Sequence, residues 1–209
     1  MEPEEFNGKL GNLVQASKGA YSTFEPKLLP LQINYDEELI KILAEAIASI
    51  SNLSGMGRRL RNPHLLIMPY LKKEAVLSSE IEGTRTSLSE VLLEEKEKKK
   101  STNEDLKEVN NYIKALEVGL NEIKTKTISE ELIKKLHAIL MKSVRGENKE
   151  PGKYKIHQNH IGSSLEIFEA KFVPASPETT PKLIENLVEY INNSKKSTEL
   201  IKAGIIHYQ

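Results

Sequence analysis

The sequence contains no cysteine and no tryptophan, and aromatic residues make up only 5% of its 209 positions. Without cysteine there is neither a disulfide framework nor a thiolate zinc site. The first residues, "MEPEEFNGKL", lack the basic and then apolar plan of a signal peptide. No uninterrupted apolar run approaches the roughly 20 residues of a membrane span. From these absences we expect a cytoplasmic protein without a membrane partner.

The chain also lacks an excess of charge of either sign, because thirty basic side chains balance thirty acidic ones. No overall electrostatic field therefore attracts nucleic acid, and we expect no nucleic-acid partner. The length suits one domain, or a domain with a small subdomain, and it is sufficient to bury a hydrophobic core.

Hydrophobic periodicity predicts helices through the first half of the chain. The first 30 or so residues have no sustained period and are interpreted as an arm laid over the domain. Asn62 before Pro63 indicates a helix start, and Pro69 predicts a break, so we expect two short helices there. Before them, Asp36 caps a helix that ends at "SGMG" and whose apolar positions recur at helical spacing: Leu39, Leu43, Ala46, Ile50 and Leu53.

The middle of the chain carries further helix signals. Ser87 and Glu90 have the spacing of a capping box for a helix through "LSEVLLEEKEKKK". We interpret the charged end of that helix as solvated, with contact to a polyanion as the alternative. Periodicity predicts two more helices, from Glu104 to Lys124 and from Glu130 to about Ser143.

After Pro151 the pattern changes to two β-type runs around a "GSS" turn signal. These runs predict one β-hairpin, Tyr154–Ile161 with Glu166–Val173, and we call residues 154–173 the flap segment. His157 and His160 lie three residues apart on the predicted strand and would leave opposite faces, so we expect no metal site there. The predicted fold class is mainly α, a helical bundle with one β-hairpin.

The last two helices are predicted by "SPETTPKLIENLVEYINN" and "STELIKAGIIHYQ". The second keeps its helical period to the final residue, without a terminating glycine, proline or basic turn. We therefore expect a core that is incomplete at the C-terminus and leaves three apolar side chains exposed: Ile201, Ile205 and Tyr208.

A glutamate next to a glycine ends the helical pattern in "EAVLSSEIEGTRTSLSE". Gly83 is a ready helix stop, because only glycine takes the left-handed C′ conformation without a steric penalty. Glu82 then faces the negative end of the helix dipole, a mismatch of roughly 0.3–1 kcal/mol unless a cation compensates it. Spacing alone favours a surface pair with Arg85, worth at most about 1 kcal/mol.

Three stretches resemble the Fic family. "NPHLLIMPYLKKEAVLSSEIEGTRTSLSEVL" is similar to the family's N-terminal signature, "PGKYKIHQNHIGSSLEIFEAKFVPASP" to the segment with the target-docking flap, and "AGIIHYQ" to the lead-in to the catalytic loop. Ser78-x-x-x-Glu82-Gly83 matches the inhibitory motif Ser/Thr-x-x-x-Glu-Gly/Asn. The resemblance covers about Leu29 to Gln209 and implies three parts: an N-terminal arm (1–30), an N-terminal helical region with the inhibitory motif (31–100) and a partial Fic domain (101–209).

The resemblance implies a chemistry. Fic proteins typically transfer AMP from ATP to a Ser, Thr or Tyr hydroxyl of a protein; a catalytic histidine deprotonates the target, and an arginine-bearing glycine-rich loop with Mg²⁺ holds the phosphates. Where the inhibitory motif is present, its glutamate pairs with that arginine and blocks the productive pose of the γ-phosphate. In some members the same glutamate helps to remove AMP. The role implied here falls on Glu82, with Ser78 one helical turn earlier on the same side.

For the flap segment, the resemblance implies docking of an extended target segment as an additional strand. The alternative is a structural ribbon that covers the core. The likeness is closest at four residues: Gln158, Asn159, Ile161 and Gly162.

The family's His-Pro-Phe-x-Asp/Glu-Gly-Asn-Gly-Arg motif does not occur in the 209 residues. This chain therefore has no catalytic residue of its own, and most ligands for ATP and Mg²⁺ are missing. Two functions remain open. The chain is the N-terminal portion of an autoinhibited AMP-transferase that is inactive alone, or a non-catalytic module that docks a target or inhibits a complete Fic protein. The expected partner, besides the protein substrate, is a second copy of this chain in a homodimer or a complete Fic protein.

Overall fold

A computed structural model describes most of the chain, in two compact units. The described residues are 10–16, 19, 21–62, 64–97, 103–145, 147–162, 164, 166–195 and 197–209. Pro63, Ser163 of the "GSS" turn signal and the end of the charge run at 98–100 lie outside them. The terminal unit comprises Met1–Asn34, Ile128–Glu130 and Lys153–Gln209, and the central unit comprises Tyr35–Thr127 and Glu131–Gly152.

The described residues form seven helices and one two-stranded antiparallel sheet. The central unit contains α1 (Glu37–Gly57), α2 (His64–Ile81), α3 (Leu88–Glu97), α4 (Glu104–Glu122) and, apart from its first residue, α5 (Glu130–Leu140). The terminal unit contains β1 (Gly11–Gln15), β2 (Ser22–Pro26), α6 (Thr180–Asn193) and α7 (Glu199–Tyr208). The predicted class, mainly α with one hairpin, is confirmed.

Predicted helix caps are formed in the structure. The backbone N–H of Leu39 donates to Asp36 Oδ1 at 2.8 Å, so Asp36 caps α1. At α3 the N–H of Ser87 donates to Glu90 Oε2 at 2.7 Å, and the N–H of Glu90 donates to Ser87 Oγ at 3.3 Å. These bonds complete the capping box and lower the pKa of Glu90, with the backbone bond from Ser87 as the largest cause.

The predicted break at Pro69 is wrong, because α2 continues through this residue as one helix of 18 residues. Pro69 is the sixth residue of the helix, where a proline removes one hydrogen bond to the carbonyl four residues earlier. The twelve residues that follow keep the hydrogen bonds of the helix. One missing bond close to the start of a long helix therefore does not divide it.

The core of the central unit joins α2, α3 and α4. Val109 on α4 has no exposed surface, and the buried cluster around it consists of Ala75, Val76, Val91, Leu106 and Ile113. Burying each Val, Leu or Ile side chain contributes roughly 1.5–3 kcal/mol to folding. This cluster therefore fixes the helix that carries the Ser78–Gly83 motif.

The two-stranded sheet does not lie where the sequence predicted it. It is formed by β1 and β2, within the segment interpreted as an arm, in the register Gly11↔Pro26 to Gln15↔Ser22. The described residues of the flap segment form no strand and one bridge, in which Ile161 and Phe172 exchange N–H···O bonds of 2.8 and 3.0 Å. The next carbonyl, that of Val173, accepts from Phe24 at 2.8 Å. This single backbone bond connects the end of the flap segment to β2.

The prediction that the apolar side chains of α7 are exposed is wrong at Ile205, in the middle of the three. Ile205 is buried with Leu29 and Tyr190, and Ile201 packs against the same cluster. Leu29 is held there by Asn186 on α6, whose Oδ1 accepts from the Leu29 N–H at 2.7 Å and whose Nδ2 donates to the Leu29 carbonyl at 3.1 Å. A distant segment of chain therefore supplies the cover that was expected to be absent.

Helix α1 is apolar, yet none of its 21 residues is buried. By length and composition alone it could cross a membrane, because an 18-residue window has a mean hydropathy of 1.3. The apolar residues of the helix do not form one uninterrupted run, because Lys41 and Glu45 lie among them. Core helices of soluble proteins pass the same test when they are mostly buried, whereas no part of this window is buried.

Candidate functional site

The end of α2 is closed by main-chain hydrogen bonds around Gly83. The Thr84 N–H donates to the Ser79 carbonyl at 3.1 Å, and the Gly83 N–H donates to the Glu80 carbonyl at 3.0 Å. This is the bond pattern of a Schellman motif with Gly83 at C′, and its φ is +97°. The predicted helix stop is confirmed, and Glu82 occupies the cap position in front of it.

The Glu82 carboxylate is exposed and has no hydrogen-bond or salt-bridge partner in the described part of the chain. The expected alternative, a pair with Arg85, is not formed there; the Arg85 backbone N–H instead donates to Asp105 Oδ2 at 2.8 Å. Since α2 directs its negative end at Glu82, the site is electrostatically suited to a cation.

Ser78 does not hydrogen-bond to Glu82. Its Oγ donates to Glu74 Oε1 at 2.6 Å, one turn earlier. Glu74, Ser78 and Glu82 follow one another at steps of four residues and therefore share one side of α2. Ser78 thus fixes the carboxylate of Glu74, whereas the side chain of Glu82 keeps its rotamer freedom.

Two threonines after the motif were not singled out from the sequence. Thr84 and Thr86 are buried, and their hydroxyl oxygens have no partner among the residues that the structure describes. An unsatisfied buried hydroxyl costs about 1–3 kcal/mol. The segment between α2 and α3 therefore holds uncompensated polar atoms directly behind Gly83. No sequence signal indicates this, because a threonine in a turn is usually exposed.

A prediction follows for the helix stop. Gly83→Ala should lower the free energy of unfolding by about 1–2 kcal/mol, because alanine is strained at positive φ. A Cβ at this position meets no atom within 4 Å, so steric contact adds nothing. The control is Gly55→Ala, a helical glycine that is equally open, which should not destabilise. Urea denaturation followed by circular dichroism measures both, and equal midpoints for the two variants would contradict the assignment.

The polar residues of the flap segment bond to their own chain. Gln158 Nε2 donates to the carbonyls of Pro174 at 2.9 Å and Asn159 at 3.0 Å. Asn159 Oδ1 accepts from Lys155 Nζ at 2.7 Å. Both amide side chains therefore hold the loop in shape.

The other two flap residues contribute an apolar surface and a close approach. The side chain of Ile161 is 61% exposed, although its backbone is paired with Phe172. A Cβ on Gly162 would lie 3.1 Å from the Lys171 backbone nitrogen, so glycine permits the two stretches to approach. Ile156 and Phe168 are also exposed. Three large apolar side chains of the segment are therefore exposed among polar and charged ones such as Glu166 and Glu169.

Glu25 on β2 is a positioning residue that the sequence analysis missed. Its Oε1 accepts from the Ser176 N–H at 3.0 Å and from the Thr23 hydroxyl at 3.1 Å, and its Oε2 accepts from the Thr179 hydroxyl at 2.6 Å. The bonds from Ser176 and Thr179 join β2 to the residues before α6. A groove of about 680 Å³ lies beside them, and its lining includes Gln158.

A second cavity of the terminal unit, of about 540 Å³, is mostly apolar. The Tyr208 hydroxyl donates to the Leu10 carbonyl at 3.0 Å, and burial raises the pKa of Tyr208. Burial lowers the pKa of Lys155, which also lines the cavity. The Gln209 side-chain amide is buried there without a partner among the described residues. The described residues contain no cluster of His, Asp and Glu that could hold a metal ion.

The comparisons with known proteins agree with this architecture. Residues 40–121 match the Fic/DOC family N-terminal region, and residues 127–209 match the Fic/DOC family. The chain belongs to the Fic family. A comparison with curated proteins gave no match.

One solved structure with a similar fold is a Fic family protein from Desulfovibrio desulfuricans G20. The TM-score is 0.64 at 18% sequence identity, and the match covers 84% of this chain and 51% of that one. The chain therefore spans about half the length of this relative. At such an identity the similarity concerns the fold.

The two predicted sets of site residues belong to different compact units. Ser78, Glu82 and Gly83 lie in the central unit, and the four flap residues lie in the terminal unit. Their functional roles stay predictions, while the local geometry of each set is as described above.

Proposed function

We propose that this chain is the regulatory and target-docking portion of an autoinhibited Fic-type AMP-transferase. The substrates would be ATP with Mg²⁺ and a Ser, Thr or Tyr hydroxyl of a protein. The observation that carries the proposal is the Glu82 carboxylate, exposed and unpaired within the described residues at a helix end that favours a cation.

The inhibitory role of Glu82 rests on elementary electrostatics. A carboxylate within about 4–6 Å of a phosphate group repels it, whereas an arginine at that distance stabilises the carboxylate. The guanidinium group matches a carboxylate and a phosphate equally well, because its planar fork binds either one through two bonds. Glu82 would therefore compete with the γ-phosphate for one arginine. Inhibition then needs no movement of the helix.

The docking role rests on the exposed apolar surface of the flap segment. Residues 154–160 form no strand in the structure, and their neighbour Ile161 exposes its side chain. An extended target segment that pairs with this backbone would bring a hydroxyl to a fixed position, and apolar contacts would add affinity. This arrangement would explain why the polar side chains of Gln158 and Asn159 brace the loop.

The 209-residue chain should not transfer AMP by itself. A general base and phosphate-binding groups supply most of the acceleration in such a reaction, and the family motif that contains them is absent from the sequence. Incubation with labelled ATP, Mg²⁺ and a lysate should leave no label on any protein, for the chain and for Glu82→Gly alike. Labelling that depends on the chain would contradict the proposal. Inhibition of a complete Fic protein by the added chain would favour the non-catalytic module.

A further inference from the structure

Residues 173–176, which we call the connecting stretch, lead from the flap segment towards α6 and are bonded to two different parts of the terminal unit. The first of these parts is β2. The Phe24 N–H donates to the Val173 carbonyl at 2.8 Å. The Ser176 N–H donates to Glu25 Oε1 at 3.0 Å. The first and the last residue of the connecting stretch are therefore attached to the sheet.

The second part is the beginning of the flap segment, which reaches the connecting stretch through side chains. Lys155 Nζ donates to the Ala175 carbonyl at 2.6 Å, and Gln158 Nε2 donates to the Pro174 carbonyl at 2.9 Å. The same lysine donates to Asn159 Oδ1 at 2.7 Å. Since residues 154–160 form no strand, these side-chain bonds take the place of strand pairing.

Lys155 and Glu25 act on the connecting stretch together. Lys155 is half-buried, and both oxygen atoms that accept from its ammonium group are neutral. Burial lowers the pKa of Lys155, and the negative charge of Glu25 opposes this change. A charge that gives up part of its hydration needs hydrogen bonds and a nearby opposite charge. The two side chains therefore depend on each other, although they bond to different residues of the stretch.

We propose that Lys155 and Glu25 are positioning residues for the protein substrate, because together they set the shape of residues 155–161 before a target segment docks. The inference rests on the docking role proposed above for the flap segment. A loop that is already held in its binding conformation loses less conformational freedom on binding. Loss of either side chain should therefore weaken target docking more than it weakens the transfer chemistry.

The bracing is tested in the 209-residue chain by hydrogen exchange, measured by nuclear magnetic resonance. Lys155→Met removes both bonds of the ammonium group and keeps a side chain of similar length. The backbone N–H groups of Ile161 and Phe172, which are bonded within the flap segment, should exchange about tenfold faster. The N–H of Val109 in the central unit should exchange as in the parent chain. The matched control is Lys171→Met, at an exposed lysine of the same segment, which should change none of these rates.

Unchanged exchange of Ile161 and Phe172 in Lys155→Met would overturn the bracing. Faster exchange of Val109 as well would indicate loss of the fold instead of release of the flap segment, and it would also count against the proposal.

The positioning role is tested in a chain that carries Glu82→Gly and is extended after Gln209 by the family's catalytic segment. Two rates are compared. One is the incorporation of labelled AMP into the proteins of a lysate. The other is the release of AMP in buffer, where water accepts the AMP group of ATP and pyrophosphate leaves. Lys155→Met should lower the first rate about tenfold relative to the second.

The two rates separate the possible failures. An equal loss of both rates, or no loss of either, would overturn the positioning role of Lys155. An extended parent chain that labels no protein would overturn the proposed function and this inference together.

The joint action of the two residues is tested with Glu25→Gln, which removes the charge and one of the two acceptor oxygens. This variant alone should also speed the exchange of the Ile161 N–H about tenfold. The double variant with Lys155→Met should stay close to tenfold, because the same stretch is released in both cases. An effect of about a hundredfold, the product of the two, would show that the residues act independently and would overturn their joint role.

Discussion

Glu82→Gly should raise AMP transfer by about one to two orders of magnitude in a chain that is extended after Gln209 by the family's catalytic segment. In the proposed mechanism, the substitution removes a negative charge beside the γ-phosphate and frees an arginine to bind that phosphate through two bonds. Charge-assisted bonds of this type contribute roughly 1.5–3 kcal/mol, and each 1.36 kcal/mol changes a rate tenfold. The measurement is the initial rate of labelled AMP incorporation into protein.

Two companion variants separate charge from helix stability in this experiment. Glu82→Gln retains the size of the side chain and removes its charge, so it should activate to a similar extent as glycine. Glu80→Gly introduces a glycine two residues earlier and retains the Glu82 carboxylate, so it should not activate. Equal rates for the extended parent chain and Glu82→Gly would show that Glu82 is an ordinary surface residue.

Val109→Asp should lower the free energy of unfolding of the central unit by about 3–5 kcal/mol. Val109 is fully buried where α2, α3 and α4 meet, within a cluster of apolar side chains. An uncompensated buried charge has a cost of this size, which is a large part of the 5–15 kcal/mol that stabilises a typical domain. Urea denaturation, monitored by far-ultraviolet circular dichroism, measures the change.

The matched control is Leu120→Asp, which makes the same chemical change on the same helix. Leu120 is 40% exposed, so the new carboxylate remains hydrated. The expected loss is within about 0.5–1 kcal/mol. A comparable loss in both variants would mean that the cluster around Val109 is not the core of the unit.

Features that depend on a few neighbouring residues were predictable from the sequence. The cap at Asp36, the capping box of Ser87 and Glu90 and the stop at Gly83 each need only local hydrogen bonds or one backbone angle. Such signals act within four or five residues and keep their meaning in any tertiary context. The mainly helical class follows from the same local periodicity.

Features that depend on distant residues were not predictable. Residues 11–15 and 22–26 pair as strands although the sequence there has no sustained alternation, and the described residues of the flap segment, which has such alternation, form one bridge. Ile205 is covered by Leu29, which lies far away in sequence. Whether a segment pairs as a strand or is buried depends on the segments that pack against it in the fold. The periodicity of a segment contains no information about those neighbours.

The candidate site also has features that could be predicted from the sequence and features that could not. The position of Glu82 before Gly83 could be read from the sequence because the helix stop is local. The unpaired state of its carboxylate could not, since Arg85 was an equally suitable neighbour by spacing. Glu25 gave no signal at all, because two of its three bonds join strand β2 to residues before α6 that are distant in sequence.

The bonds that close α2 around Gly83 are all made by the main chain. The location of residue 82 is consequently independent of the side chain that it carries. A protein built in this way can exchange glutamate for another residue at that point without rebuilding the helix or its core. The proposed inhibitory contact could thus be strengthened or lost through single substitutions over evolutionary time, while the scaffold that presents the residue stays the same.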